Sequence, residues 1–156
     1  MIITRTHQTD FYNPTHFNSL IERVKAIEPS AERKWGKMSI SEMLHHLNIA
    51  IGSGLGYYSA KDHSNIFTHF IIRPFVLNFL KGMPIGSKAP KPLKVNSILL
   101  DFDKEKNQLL EILQRAYQTT NDNDWSVNSY FGKLSRKDWG KLIMIHCNHH
   151  FTQFGC

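Results

Sequence analysis

The chain has 156 residues, of which 41% are hydrophobic and 21% are charged, and its formal net charge is +6. A chain of this length buries roughly 70% of its unfolded surface, so it can form a core without disulfides or structural metals. The ordinary composition excludes a disordered, collagen-like or disulfide-scaffold chain and predicts a single domain over residues 1–156. The unusual count is nine histidines.

Two features of the sequence indicate a cellular compartment. The two cysteines, Cys147 and Cys156, lie close together near the C-terminus, which favours free thiols in a reducing compartment over a disulfide framework. The N-terminal residues contain no apolar stretch long enough for a secretory signal, and the strongest apolar run, residues 66–80, is too short to span a membrane. We therefore expect a cytoplasmic protein with no membrane partner.

The positive charge raises the question of nucleic-acid binding. Lys81, Lys88, Lys91 and Lys94 cluster in a stretch rich in Pro and Gly. Such a stretch is typical of an extended loop and not of a helix that enters a DNA groove. The pattern favours a solvated loop over a phosphate-binding surface, and we expect no nucleic-acid partner.

The first two predicted helices have clear starts and stops. The first begins at Asn13-Pro14, a favoured cap followed by a favoured first residue, and its apolar residues recur at helical spacing until Pro29. The second begins with the capping box Ser39-Ile40-Ser41-Glu42 and ends at glycines 52, 54 and 56. Each helix has one apolar face, which should pack inward.

The rest of the chain is also predicted to be mostly helical. A third block runs from about residue 62 to residue 81, and Pro74 either kinks it or begins a second helix there. Residues 95–100 are expected to be extended, and Asp101 or Asp103 caps the next helix, which ends in the polar run 119–124. The last helix begins at Ser135, with an acid three residues on. Helices joined without strands predict an all-α antiparallel bundle.

The last helix places two histidines on its apolar side. His146 and His150 lie within about 40° of each other on the helix surface, inside the arc defined by Leu142, Ile143 and Phe154. Their imidazoles rise from adjacent turns, as in helices that present two nitrogen ligands to one metal. Without a metal, each buried ring nitrogen that lacks a partner costs about 1–3 kcal/mol. Helical geometry alone leaves open whether the pair binds a metal or is hydrogen-bonded within the core.

The second helix offers a third candidate ligand. His46 lies on the flank of its apolar face, whereas His45 points toward solvent. Together with His146 and His150, His46 gives three nitrogen ligands and an open coordination position, the layout of a catalytic metal site. The alternative for His46 is a partly exposed polar residue at the edge of the apolar face. Glu42, one turn earlier, either hydrogen-bonds the second ring nitrogen of His46 or closes the capping box, which is the simpler account.

The residues beside these histidines exclude one familiar enzyme class. Zincin proteases need His-Glu-x-x-His because the Glu acts as general base, and Cys147 stands in that position here. Cys147 lies about 100° from His146 on the helix and is predicted to be a small buried thiol. His149 lies about 60° from His146, at the edge of the apolar stripe, and is not expected to be a ligand.

Three segments of the chain resemble a domain-of-unknown-function branch of the DinB-like superfamily. They are Trp35-Gly-Lys-Met-Ser-Ile-Ser-Glu-Met-Leu-His-His46, Tyr130-Phe-Gly-Lys-Leu-Ser-Arg-Lys-Asp-Trp-Gly140 and His146-Cys-Asn-His-His-Phe-Thr-Gln-Phe-Gly155. The resemblance implies a four-helix bundle, a homodimer and a divalent metal held by three histidines. Its pattern falls on His46, His146 and His150, and Gln153 takes the place of a trailing Gln close to the metal.

The resemblance also implies a chemistry. Characterised relatives in the superfamily are thiol transferases, in which the metal binds a low-molecular-weight thiol and directs it at a small electrophile. Three imidazoles suit zinc or nickel first, with iron, cobalt or copper as alternatives. This chain has Asn128-Ser129 where the branch usually has His-Pro, so the resemblance supplies no fourth ligand from that loop.

Three functions are therefore open. The first is a metal-dependent enzyme, a thiol S-transferase or small hydrolase, in which Phe67, Phe70, Phe75 and Phe79 wall an apolar pocket unless they simply pack the core. The second is a non-catalytic metal-binding or stress-response protein of the same fold. The third is an interaction module whose third block pairs chains and whose histidines are structural.

Overall fold

The computed structural model describes residues 10–59, 61–80, 83–86 and 99–156, and within these ranges the chain is helical and has no strand. The expected basic loop from Lys81 to Lys94 and the expected extended residues 95–98 lie outside the described residues, except for the short piece 83–86. None of the described helices has the length and apolar character to cross a membrane. The five α-helices are α1 Pro14–Lys25, α2 Ile40–Gly54, α3 Arg73–Phe79, α4 Phe102–Gln118 and α5 Arg136–Phe154.

Side-chain caps begin the four longer helices where the sequence predicts them. Asn13, Ser39, Asp101 and Ser135 each accept a hydrogen bond from a backbone amide of the first turn. The cap of α4 is therefore Asp101 and not Asp103. At α2 the capping box is complete, because Oε2 of Glu42 also accepts from the Ser39 amide at 2.6 Å. Each such cap is typically worth about 1 kcal/mol.

Helices α2 and α4 form the most extensive contact among the described helices. α2 packs against both α4 and α5, α1 packs against α4, and α3 packs against α5. A Cβ on Gly54 would lie 2.7 Å from the ring of Trp139, so the end of α2 touches the first turn of α5. The core is built from apolar side chains of all four longer helices, including Leu20, Val24, Met43, Leu44, Leu47, Leu109, Leu113, Trp139 and Phe151.

The third block contains a π-turn. Residues Thr68–Ile72 are π-helical and continue directly into α3, and the amide of Arg73 donates to the carbonyl of Thr68 five residues back. Pro74 has no amide to donate and would leave the carbonyl of Phe70 without its α-helical partner. The π-turn has one residue more than an α-helical turn, and this accommodates the missing hydrogen bond. Pro74 thus lies in the first turn of α3, which extends a helical segment that is already formed.

The expectation that Phe67, Phe70, Phe75 and Phe79 wall a pocket is wrong. These residues are 54–73% exposed and form what we call the outer face of α3, although Phe67 and Phe70 precede that helix in the same segment. The opposite side of the same segment, with Ile72, Val76 and Leu80, faces the interior instead. Both sides of this short segment are apolar, so hydrophobic spacing alone did not identify the inner one.

Candidate metal centre

Three buried imidazoles meet between α2 and α5. His46 comes from α2, and His146 and His150 come from adjacent turns of α5. All three residues are buried, and each offers a ring nitrogen within 4.8 Å of the other two. The Nε2 atoms of His46 and His146 are 2.9 Å apart. The structure thus brings together the three histidines that the sequence singles out.

The spacing and chemistry of these nitrogens fit a divalent metal ion. Zinc–imidazole bonds of about 2.0–2.1 Å in a tetrahedral site place the ligand nitrogens about 3.3 Å apart. The 2.9 Å between Nε2 of His46 and Nε2 of His146 and the 4.8 Å limit for the whole group bracket that value. Imidazole donors suit zinc, nickel, cobalt, copper and iron. The histidine cluster could therefore hold such an ion.

Gln153 orients one of the three imidazoles. Its Nε2 donates to the carbonyl of Trp35 at 2.8 Å, which fixes the amide so that Oε1 points the other way. Oε1 lies 2.8 Å from Nδ1 of His150. Since a carbonyl oxygen can only accept, Nδ1 carries the proton and Nε2 is left as the free donor for a metal. The trailing Gln of the resemblance thus lies against His150 and fixes the proton on its Nδ1.

The loop before α2 holds Gln153 in place. The amide of Lys34 donates to the backbone carbonyl of Gln153 at 2.7 Å. Gly36 has a φ of +83°, and a Cβ there would lie 2.5 Å from Nε2 of Gln153. Glycine both tolerates this left-handed backbone and leaves room for the amide. The Trp35-Gly36 pair therefore supports the centre without contributing a ligand.

Burial keeps the rings of His146 and His150 neutral. It lowers the pKa of His146 well below its ordinary value, and the neighbouring His46, His150 and His149 add to that effect. Burial likewise lowers the pKa of His150 to about 3. A neutral imidazole is the form that binds a metal, so at neutral pH neither ring must lose a proton before coordination.

His45 does not point into solvent as expected. Its Nδ1 lies 3.0 Å from Oε2 of Glu105, and its side chain is 24% exposed. Asn48 donates to the same carboxylate oxygen at 2.8 Å. These contacts join α2 to α4 on the side of α2 away from the three histidines. Glu105 was missed in the sequence because an acid on an amphipathic helix is usually solvated.

His149 and Cys147, which flank the ligand positions on α5, have separate roles. His149 lines the cavity described next, and its Nδ1 donates to the carbonyl of Met83 at 3.2 Å. Cys147 is fully buried, as expected, and burial raises the pKa of its thiol to about 12. The thiol is therefore protonated at neutral pH and does not act as a nucleophile.

An apolar cavity of about 410 Å³ borders the three histidines. This volume lies within the range of small-molecule pockets, about 300–1,000 Å³. Oδ1 of Asn128 accepts from the amides of Tyr130 and Phe131, and this turn places Asn128 and Ser129 against the cavity. The sequence marks this loop only through the motif that follows it. Other lining residues are Met38, Ile51, Ile72, Val76, Leu80, Leu142 and Ile143.

Fold and site together define a class, the helical proteins with a buried three-histidine group beside an apolar cavity. The chain matches the family described as "Protein of unknown function (DUF1569)" over residues 8–155, and it belongs to that family. No curated protein and no solved structure matches it. The family description names no reaction, so a function must be argued from the centre and the cavity.

Proposed function

We propose that the chain binds a divalent metal ion, zinc or nickel first, through His46, His146 and His150 and uses it to activate a small nucleophile beside the cavity. The observation that carries this proposal is the convergence of three buried imidazole nitrogens within 4.8 Å. Three protein ligands leave a position for a thiol or a water, as in catalytic zinc sites, whereas closed structural sites use four.

The chain's own residues have distinct parts in this proposal. The ion, when bound, would act as a Lewis acid that lowers the pKa of a coordinated thiol or water. The three imidazoles would hold the ion. The amide oxygen of Gln153 accepts from Nδ1 of His150, and this leaves Nε2 of the same ring for the ion. Among the described residues, no carboxylate lines the cavity. Activation by a metal, rather than by a carboxylate base, is therefore the chemistry that the site supports.

The reaction class and the bundle topology come from the resemblance. We propose that α1, α2, α4 and α5 form the antiparallel four-helix bundle of the DinB-like superfamily and that α3 is an addition to it. The preferred candidate reaction is transfer of a low-molecular-weight thiol to a small electrophile. The alternative is hydrolysis of a small substrate. A non-catalytic metal-binding protein would share the same ligands.

Metal analysis of the purified, untreated chain tests the centre. We expect one divalent ion per chain in the wild type and in His45→Ala, and no ion in His46→Ala, because only His46 contributes to the histidine cluster. His45→Ala is a matched control on the neighbouring position. Equal loss of metal in the two variants would refute the assignment. Screening the loaded protein for turnover of thiols with electrophiles then separates an enzyme from a metal-binding protein.

One observation favours a second candidate, a module that pairs with a second copy of the chain. The outer face of α3 presents Phe67, Phe70, Phe75 and Phe79 to solvent, and contiguous exposed apolar patches usually mark interaction sites. The homodimer implied by the resemblance would cover this face. Analytical sedimentation of the wild type and of the double variant Phe70→Ser, Phe75→Ser tests this pairing. We expect a dimer for the wild type and a monomer for the double variant. Monomers in both samples would exclude this candidate.

A further inference from the structure

We infer that the cavity binds an uncharged, largely apolar and elongated molecule whose one polar head group lies at the three histidines. The position of the head group rests on the proposed metal centre. The character of the rest of the molecule rests on the walls of the cavity and can be tested separately.

The first argument is the lack of charge in the walls. Among the described residues that line the cavity there is no Lys, Arg, Asp or Glu. Away from the histidines, the polar side chains that line it are Ser53, Asn128, Ser129 and Tyr130. Moving a charged group out of water without a partner costs far more than moving a neutral one. A carboxylate or an ammonium on the ligand would therefore find no compensating charge on the described walls.

The second argument is the shape of the cavity. The residues of α5 that line the cavity extend from Trp139 to His150, a distance of about 16 Å along the helix axis. Trp139 and His146 are separated by about 10 Å along the same axis. On the facing segment, Ile72, Val76 and Leu80 recur every four residues and form one apolar stripe. The walls beyond the histidines thus favour a hydrocarbon chain or ring that extends away from the centre.

These features select among thiols. A peptide-like thiol carries carboxylates and an amine, and each would be buried without a charged partner among the described lining residues. A neutral alkyl or aryl thiol places its sulfur at the centre and its apolar part against Val76 and its neighbours. Each methylene that is buried there should tighten binding about fourfold, since a buried methylene is worth about 0.8 kcal/mol.

Calorimetric titration of the zinc-loaded full chain with four thiols tests the inference. 1-Hexanethiol is compared with the similarly sized 5-mercaptopentanoate and 5-aminopentane-1-thiol, and with the shorter 1-butanethiol. We expect 1-hexanethiol to bind at least tenfold tighter than either charged thiol and about 15-fold tighter than 1-butanethiol. A smaller preference over either charged thiol, a preference for one of them, or no dependence on chain length would overturn the inference.

A charge placed in the wall provides a second, independent measurement. Val76→Lys puts an ammonium against the cavity and should shift the preference toward 5-mercaptopentanoate by at least tenfold. The matched control Phe75→Lys adds the same charge one residue away on the outer face of α3 and should leave the preference unchanged. Equal shifts in both variants would contradict the inference. If Val76→Lys does not fold, the wild-type titrations decide alone.

Zinc binding is measured separately, so the two proposals can fail separately. A chain that binds zinc but shows none of the expected thiol preferences refutes the ligand class and leaves the metal centre intact. A chain that binds neither zinc nor nickel refutes the metal centre, and the inferred position of the head group falls with it.

Discussion

Replacing Gly36 by Ala should weaken metal binding although Gly36 touches no ligand. The left-handed φ of +83° costs an Ala about 1–2 kcal/mol. In addition, the new Cβ would lie 2.5 Å from Nε2 of Gln153 and force this amide to move. Gln153 would then lose its bond to Trp35 and the position that orients His150. Loss of such an orienting partner typically lowers metal affinity 10- to 100-fold, or about 1.4–2.7 kcal/mol.

Gly56→Ala separates the backbone cost from the effect on the centre. Gly56 has a φ of +79°, but a Cβ there would meet only Oγ of Ser126, at an ordinary 3.6 Å. Both variants should therefore lose about 2–8 °C in melting temperature from backbone strain alone. Only Gly36→Ala should also lose zinc affinity in a competition titration with a chromophoric chelator.

A double-variant comparison sharpens this test. Gln153→Leu should lower zinc affinity by a similar factor, and combining it with Gly36→Ala should add little, because both changes act through the same amide. Wild-type zinc affinity in a folded Gly36→Ala protein would refute the orienting role of Gln153. An equal loss of affinity in Gly56→Ala would refute the steric argument.

Three further predictions concern stability. Burial holds the pKa of His150 at about 3 in the folded chain, against about 6.5 in the unfolded chain. Between these pH values the unfolded metal-free chain binds more protons than the folded one, so stability is lost as pH falls below about 6.5. At pH 5 the loss of stability from His150 is about 2 kcal/mol, and His146 acts in the same direction. Urea unfolding at pH 7 and at pH 5 measures this loss, and equal stabilities at the two pH values would contradict the prediction. Chelation at a hundredfold excess of metal over Kd should remove about 2.7 kcal/mol, or about 5–11 °C in melting temperature, and His46→Ala should show no such shift. His45→Ala should cost about 1–3 kcal/mol in urea unfolding because the buried carboxylate of Glu105 loses a partner, and an unchanged stability would make that contact incidental.

The helix starts and the histidine faces were accessible from sequence because both depend on local rules. Asn13, Ser39 and Ser135 are capping residues followed by regular apolar spacing, and they cap α1, α2 and α5 in the structure. His146 and His150 share a face of α5 for the same geometric reason, and that face is buried. The end of α1 was less sharply predicted, since α1 ends at Lys25, short of Pro29.

What the sequence did not reveal depends on contacts between distant segments. The partner of His45 is an acid 60 residues away, and helical spacing on α2 contains no information about α4. The support that Gly36 gives to Gln153 joins positions that no local pattern connects. The outer face of α3 was misjudged because apolar spacing reports which side of a segment is apolar, and this segment is apolar on both sides.

The π-turn before α3 also affects how this protein can vary in length. A turn of this kind contains one residue more than an α-helical turn, so a one-residue deletion within Thr68–Ile72 combined with replacement of Pro74 should convert it to α-helical geometry. Such a deletion rotates the preceding residues by about 100° relative to Val76. Family members that lack both this residue and Pro74 should therefore align without a gap in any helix of the core, and they should present a different side chain in place of Ile72 to the cavity.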